Sequence, residues 1–161
     1  MRILKTLSEK NSDIMGKGAV KLAFLGDSIT QGCFETIVTP GGTFGGINDY
    51  DAVYHSQLRK MLHTVFPDAP INIINAGIGG NSAIQGLERI ERDVLSYSPD
   101  LVVVCFGLND NVGGMEKVNL YNDALKEIFT KLKEKEIETV FMTPNMMNTY
   151  VSTRIDHKAL A

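Results

Sequence analysis

Apolar and polar residues follow a strand–helix order along this chain. Four short apolar runs predict β-strands, at residues 19–25, 70–75, 101–106 and 139–143. Between them, apolar residues recur every three or four positions and predict amphipathic helices, over residues 50–66, from an N-cap at Asn81 to Leu95, and over residues 118–132. The third run, LVVVCF, is apolar at every position, which is typical of a strand covered on both faces of its sheet.

Alternating strands and helices predict an α/β fold. Short right-handed crossovers would give a parallel, flavodoxin-like sheet of order 2-1-3-4 inside a three-layer α/β/α sandwich. Four strands are few for such a sheet, and the fourth would be an unprotected edge that a second copy could pair with as a homo-oligomer. We expect one domain over residues 1–161, with a fifth strand and a C-terminal portion missing beyond Ala161.

Composition and charge argue against several classes of protein, among them nucleic-acid-binding and membrane-spanning proteins. The chain has 161 residues, 43% hydrophobic and 22% charged, which is typical of a soluble globular domain. A net charge of −3 without a basic stripe argues against nucleic acid as a partner. We see neither a membrane span nor the apolar centre of a signal peptide. Cys33 and Cys105 lack metal-ligand spacing, so a reduced, cytoplasmic protein is expected.

Polar clusters follow the first three predicted strands. They read GDSIT at residues 26–30, NAGIGGN at residues 75–81 and GLND at residues 107–110. In the order 2-1-3-4 these strands are neighbours, and ligands of such sheets bind at the carboxyl ends of the strands. We therefore expect the three clusters to share one rim and to form one site.

The chemistry of these clusters is complementary. Ser28 offers a hydroxyl on a strand-to-helix turn, and the glycines of the second cluster allow backbone N–H groups to approach a ligand. Asn109 adds an amide donor that does not titrate. A hydroxyl among neutral donors suits a serine nucleophile with an oxyanion hole, in which each donor contributes about 3 kcal/mol.

GDSIT, IGGN and GLND resemble blocks I, II and III of the SGNH/GDSL hydrolase superfamily, and the resemblance covers residues 19–146. It implies that Ser28 is the nucleophile and a backbone oxyanion donor. Gly80 would be the second backbone donor and Asn109 the side-chain donor. It also implies hydrolysis of a small-molecule ester through an acyl-enzyme, without metal or cofactor.

The fourth block of that superfamily, Asp-x-x-His with the general base, has no match in this chain. His55 and His63 lie on the first predicted long helix and are interpreted as structural. His157 follows the fourth strand, but the side chain of its neighbour Asp156 would point away from it. We expect a base encoded beyond Ala161, with His157 as the alternative.

The remaining polar and glycine positions have simpler interpretations. Asp27 and Asp110 are expected to be turn or helix-cap residues. Gly77 and Gly79 are expected to form an ordinary strand-to-helix turn, and residues 34–49 to form a glycine-rich loop beside the site.

Two other functions compete with hydrolysis. A binding module that keeps the pocket but lacks the base would bind esters without turnover. A flavodoxin-like FMN binder is the weaker alternative, because Ser28, Thr30 and Gly32 only partly match a phosphate loop, and Asp27 would place negative charge beside the phosphate.

Overall fold

The computed structural model describes residues 1–42 and 44–145. Its helices and strands follow one another along the chain in this order: α1 (Arg2–Ser12), β1 (Val20–Gly26), α2 (Ser28–Gln31), β2 (Cys33–Val38), β3 (Phe44–Asn48), α3 (Tyr54–Val65), β4 (Ile71–Gly77), α4 (Ala83–Asp93), β5 (Leu101–Cys105), α5 (Leu108–Asn111), α6 (Val118–Glu134) and β6 (Glu138–Phe141).

Four parallel strands form the main sheet in the order β4-β1-β5-β6. In the sequence prediction these are strands 2-1-3-4, so the predicted order is confirmed. Gly26 pairs with Gly77 on one side and with Cys105 on the other. Because β4, β1 and β5 end level with one another, the segments that follow them begin at the same rim.

Two apolar layers enclose the sheet, one on each face. Along β1, Ala23 and Leu25 pack into one layer, which α4 and α6 cover. Leu22 and Phe24 point to the opposite face, which α1 and α3 cover. This alternation explains why nearly every residue of β1 and β5 is apolar and buried, and it confirms the predicted α/β/α sandwich.

Helix α1 was not predicted from the sequence. Only two apolar side chains of this helix, Ile3 and Leu7, are buried, and Leu4 between them is exposed. The carboxylate of Glu138, at the start of β6, accepts the backbone N–H groups of Arg2 and Ile3 at 3.1 and 2.6 Å. A distant strand therefore supplies the N-terminal cap that the local sequence lacks.

Two local predictions were wrong. Residues 34–49 were expected to be a loop, but most of them form an antiparallel hairpin of β2 and β3, outside the main sheet. Helix α4 is capped by Ser82 in a capping box with Gln85, not by Asn81. A fifth strand beside β6 stays a prediction.

Candidate active site

The turn after β1 presents Ser28 at the rim. Ser28 is the first residue of α2, and Asp27 caps this short helix by accepting the N–H of Ile29 at 2.9 Å. The first N–H groups of a helix have no partner inside it, and no described residue accepts the N–H of Ser28. The half-buried Ser28 therefore offers both its hydroxyl and its backbone N–H to a ligand.

Contacts from α3 and β4 hold α2 in place. The hydroxyl groups of Tyr54 and Thr30 lie 3.0 Å apart in a hydrogen bond. The Nε2–H of buried His55 donates to the carbonyl oxygen of Thr30 at 3.0 Å, and Asn75 donates its side-chain amide to the carbonyl of Gln31. Burial lowers the pKa of His55. His55 thus supports the turn that carries Ser28, as expected of a structural histidine.

Residues 77–80, at the end of β4 and just after it, form a glycine loop that packs directly against α2. A side chain at Gly77 would place its Cβ 2.1 Å from the backbone nitrogen of Gln31, so only glycine allows this approach. Gly79 donates its N–H to the Gln31 side-chain oxygen at 2.7 Å. An added Cβ at Gly79 would lie 3.7 Å from the Cβ of Ser28. As expected, both glycines shape the turn, and they bring it beside the serine.

Gly80 is in a left-handed conformation, with a φ of +78° that favours glycine. Its N–H finds no acceptor in the described part of the chain. Asn109 lies on α5 at the end of β5 and donates one amide N–H to the carbonyl oxygen of Asn81 at 2.9 Å. An amide nitrogen carries two hydrogens, so the second remains for a ligand.

These groups meet at one cavity of about 550 Å³. It is lined by three predicted site residues, by the hairpin and by neighbouring polar groups: Ser28, Gln31, Cys33, Thr36, Gly45, Gly46, Asn48, Gly79, Gly80 and Asn109. Apart from Cys33, the lining side chains are polar. The structure therefore brings Ser28, Gly80 and Asn109 together as the sequence predicted, and it adds the hairpin as the facing wall.

Gln31 was missed by the sequence reasoning. Its position three residues after Ser28 on the same helix is the signal that could have identified it, because residues i and i+3 share a helix face.

The two aspartates beside the site are helix caps, as expected. Asp27 caps α2, and Asp110 accepts the N–H of Ala83 at the start of α4 at 2.9 Å. Burial raises the pKa of both carboxyl groups, and the charge of Asp110 further raises the pKa of Asp27. Neither carboxylate lines the cavity with Ser28.

No general base for Ser28 is present among residues 1–42 and 44–145. His55 bonds to Thr30, and His63 lies in the last turn of α3. His157 lies outside the described residues.

Neither a metal site nor a membrane-spanning helix is found in the described part of the chain. Residues 1–42 and 44–145 contain no group of His, Cys, Asp and Glu side chains able to hold a metal ion. None of the helices that the structure describes is long and apolar enough to cross a membrane.

Comparison with known proteins assigns the family. A model of the GDSL-like lipase/acylhydrolase family matches residues 24–161, most of the chain. The chain belongs to this family. The match to the family begins inside β1 and includes Ser28, Gly80 and Asn109. Helix α1 lies before the matched residues. The resemblance to the SGNH/GDSL superfamily is thereby confirmed.

Three similar proteins illustrate the range of this GDSL-like family. An acetylxylan esterase of Geobacillus stearothermophilus is 30% identical in an alignment of 133 residues that covers 77% of this chain and 59% of that protein. An arylesterase of Vibrio mimicus is 24% identical in an alignment of 128 residues that covers 76% of this chain and 53% of that protein. The crystal structure of a two-domain esterase active on acetylated mannans has a TM-score of 0.62 and 27% identity, covering 87% of this chain and 33% of its own. The chain thus spans between half and three-fifths of the two curated relatives.

Proposed function

We propose that this chain carries the nucleophile and the oxyanion hole of a serine ester hydrolase. The observation that supports this most directly is the shared cavity, which Ser28, Gly80 and Asn109 line together. A nucleophilic hydroxyl and preorganised N–H donors around one space are what acyl transfer requires.

In the proposed reaction, the Ser28 hydroxyl attacks the acyl carbonyl and its proton passes to a histidine. The negative charge that develops on the carbonyl oxygen accepts hydrogen bonds from the N–H groups of Ser28 and Gly80 and from the Asn109 amide. The tetrahedral intermediate expels the alcohol, which takes the proton from the histidine. Water then attacks the acyl-serine and releases the carboxylic acid and free Ser28.

The proton acceptor in this scheme is His157 or a histidine beyond Ala161. A serine hydroxyl without a base is a weak nucleophile at neutral pH, so the proposal requires one of them.

For the substrate we propose an acetyl ester, or another short acyl ester, of a carbohydrate. The side chains of Gln31, Thr36 and Asn48 line the cavity and can bond to the hydroxyl groups of a sugar. Similarity to esterases named for acetylated xylan and acetylated mannans agrees with this choice. A cytoplasmic location, homo-oligomerisation and the lack of a nucleic-acid partner stay predictions.

Labelling with a fluorophosphonate tests the nucleophile, because such probes react rapidly only with an activated serine. We expect labelling at Ser28, located by mass spectrometry and abolished in Ser28→Ala. His157→Ala would abolish it too if His157 is the base. A folded chain of residues 1–161 that is not labelled would exclude His157 as the base. The absence of labelling also in a folded chain that continues past Ala161 to a further histidine would contradict the proposal. Hydrolysis of acetylated xylo-oligosaccharides, with nitrophenyl palmitate for comparison, tests the substrate class.

A binding module without turnover is the second candidate function. It is favoured by one observation: the described residues include no base in contact with Ser28. This function predicts saturable binding of acetylated oligosaccharides by a chain that neither labels nor hydrolyses. FMN binding gains no support, because the Asp27 carboxylate already occupies the N–H of Ile29 that a phosphate would use.

A further inference from the structure

Asn81 lies between two of the proposed oxyanion donors and bonds through three of its groups. It follows Gly80 directly in the chain, and its carbonyl oxygen accepts the amide of Asn109 at 2.9 Å. Its own N–H donates to Ile78 at 3.2 Å, and its side-chain oxygen accepts the Nε–H of Arg89 at 2.9 Å. Backbone and side chain of this loop residue are therefore both fixed.

Arg89 is a buried cation that ties this residue to the main sheet. It is 7% exposed, and its Nη1 and Nη2 atoms donate to the carbonyl oxygens of Ala76 and Gly26 at 2.7 and 2.9 Å. A further contact of 3.2 Å to Asp93 balances its charge. The guanidinium thus bonds to β4 and β1 near the points where the glycine loop and the nucleophile turn leave the sheet, and from there it reaches Asn81.

The orientation of Asn109 depends on this arrangement. The terminal torsion of an asparagine side chain has a broad energy profile, so the amide plane is set by its hydrogen bonds. One N–H of Asn109 is bound to Asn81, which fixes the direction of the other. Donors that are oriented before the reaction stabilise an oxyanion most effectively.

We propose that Asn81, held by Arg89, is a positioning residue that orients the Asn109 amide for the oxyanion. The inference rests on the proposed function, since it presumes that Asn109 is a donor. Asn81 does not line the cavity and acts through Asn109.

A double-mutant cycle on the hydrolysis of nitrophenyl acetate tests this. Asn109→Ala is expected to lower kcat about 100-fold, as for the loss of an oxyanion donor. Asn81→Ala keeps the carbonyl that accepts the Asn109 amide but removes the side-chain bond to Arg89 that holds this carbonyl in place. It is therefore expected to lower kcat about 10-fold with KM unchanged, a smaller loss than removing the donor itself. It should cost nothing further once Asn109 is already alanine. Losses that multiply in the double variant, or an unchanged kcat in Asn81→Ala, would overturn the proposal.

Ser82→Ala is the matched control for local damage. It removes the neighbouring capping contact with Gln85 but touches neither Arg89 nor Asn109. We expect it to lower the free energy of unfolding and to leave kcat unchanged. If it lowers kcat as much as Asn81→Ala, the loss reflects loop damage and the positioning role is rejected.

A structural readout separates this inference from the proposed function. If Ser28 stays inert towards both fluorophosphonate and ester, in this chain and in one that continues past Ala161 to a further histidine, the proposed function fails, whereas NMR of the Asn109 side-chain amide still reports its hydrogen bond to Asn81. Rotation about an amide C–N bond is slow, so two resonances are expected in every variant. In the wild type the proton bonded to Asn81 should lie downfield of the range of a solvent-exposed amide, and in Asn81→Ala it should move towards that range. Resonances that do not change in Asn81→Ala would overturn the inference.

Discussion

The Asp110 carboxylate accepts the backbone N–H of Ala83 at 2.9 Å, so the segment after β5 caps the helix that follows the glycine loop. Asp110→Ala should lower the free energy of unfolding by about 1 kcal/mol, as for a lost N-cap. Asp110→Asn keeps an acceptor oxygen and removes a buried charge, so it should be at least as stable as the wild type. Urea unfolding at neutral pH measures both. Equal losses in the two variants would contradict the capping role.

Asp27 should make stability fall as the pH rises. Burial, reinforced by Asp110, raises its pKa in the folded chain above the ordinary 3.8, so the folded state favours the protonated form. This contribution is complete below 3.8 and is lost as the pH rises through the folded pKa. Asp27→Asn keeps the acceptor for Ile29 and should flatten this part of the profile of unfolding free energy against pH. Asp51→Asn, at an exposed position, is the control and should leave the profile unchanged.

His55 should act in the opposite direction, at higher pH. Burial lowers its pKa below the ordinary 6.5, so the unfolded chain takes up a proton more readily than the folded one. Stability should therefore fall as the pH drops from above 6.5 towards the folded pKa. His55→Gln should remove this dependence, and His63→Gln should not. A profile identical in wild type and His55→Gln would refute the expectation.

Gly77→Ala should displace α2, the helix that begins at Ser28. The new Cβ would lie 2.1 Å from the backbone nitrogen of Gln31, and a backbone contact of this kind cannot be relieved by a side-chain rotation. We expect a loss of about 2 kcal/mol in unfolding free energy, typical of overpacking. Fluorophosphonate labelling of Ser28 should also slow. Gly18→Ala, where an added Cβ meets nothing within 4 Å, is the control. Equal behaviour of the two variants would count against this packing.

The sheet could be predicted from the sequence because its signal is local. Apolar runs such as residues 101–106 need cover on both faces, which predicts the layers, and right-handed crossovers in a flavodoxin-like sheet predict the strand order. The parts that were missed depend on contacts far apart in sequence. Helix α1 takes its cap from Glu138, and β3 contains Gly45 and Gly46, which lower strand propensity although the backbone pairs with β2.

The candidate site shows the same division. Ser28, Gly80 and Asn109 could be predicted because each lies in a short motif at a strand end. Gln31 shares a helix face with Ser28, but neither its bond to Gly79 nor the bonds of Asn81 to Asn109 and Arg89 could be predicted, because each joins specific atoms of separate elements. Sequence patterns indicate which residue types meet, but not which carbonyl accepts which amide.

The cavity has two walls that belong to different sheets, because the hairpin of β2 and β3 faces the rim of the main sheet. The wall that holds the proposed chemistry belongs to the main sheet, whereas Thr36, Gly45 and Gly46 belong to a separate two-stranded unit. Between the two, Gly32 adopts a φ of +114° and accepts the N–H of Asp49, which closes the base of the hairpin. The hairpin can therefore be altered without changing any strand of the main sheet. A library that varies residues 34–47 would test whether this unit alone sets ester preference while Ser28, Gly80 and Asn109 stay in place.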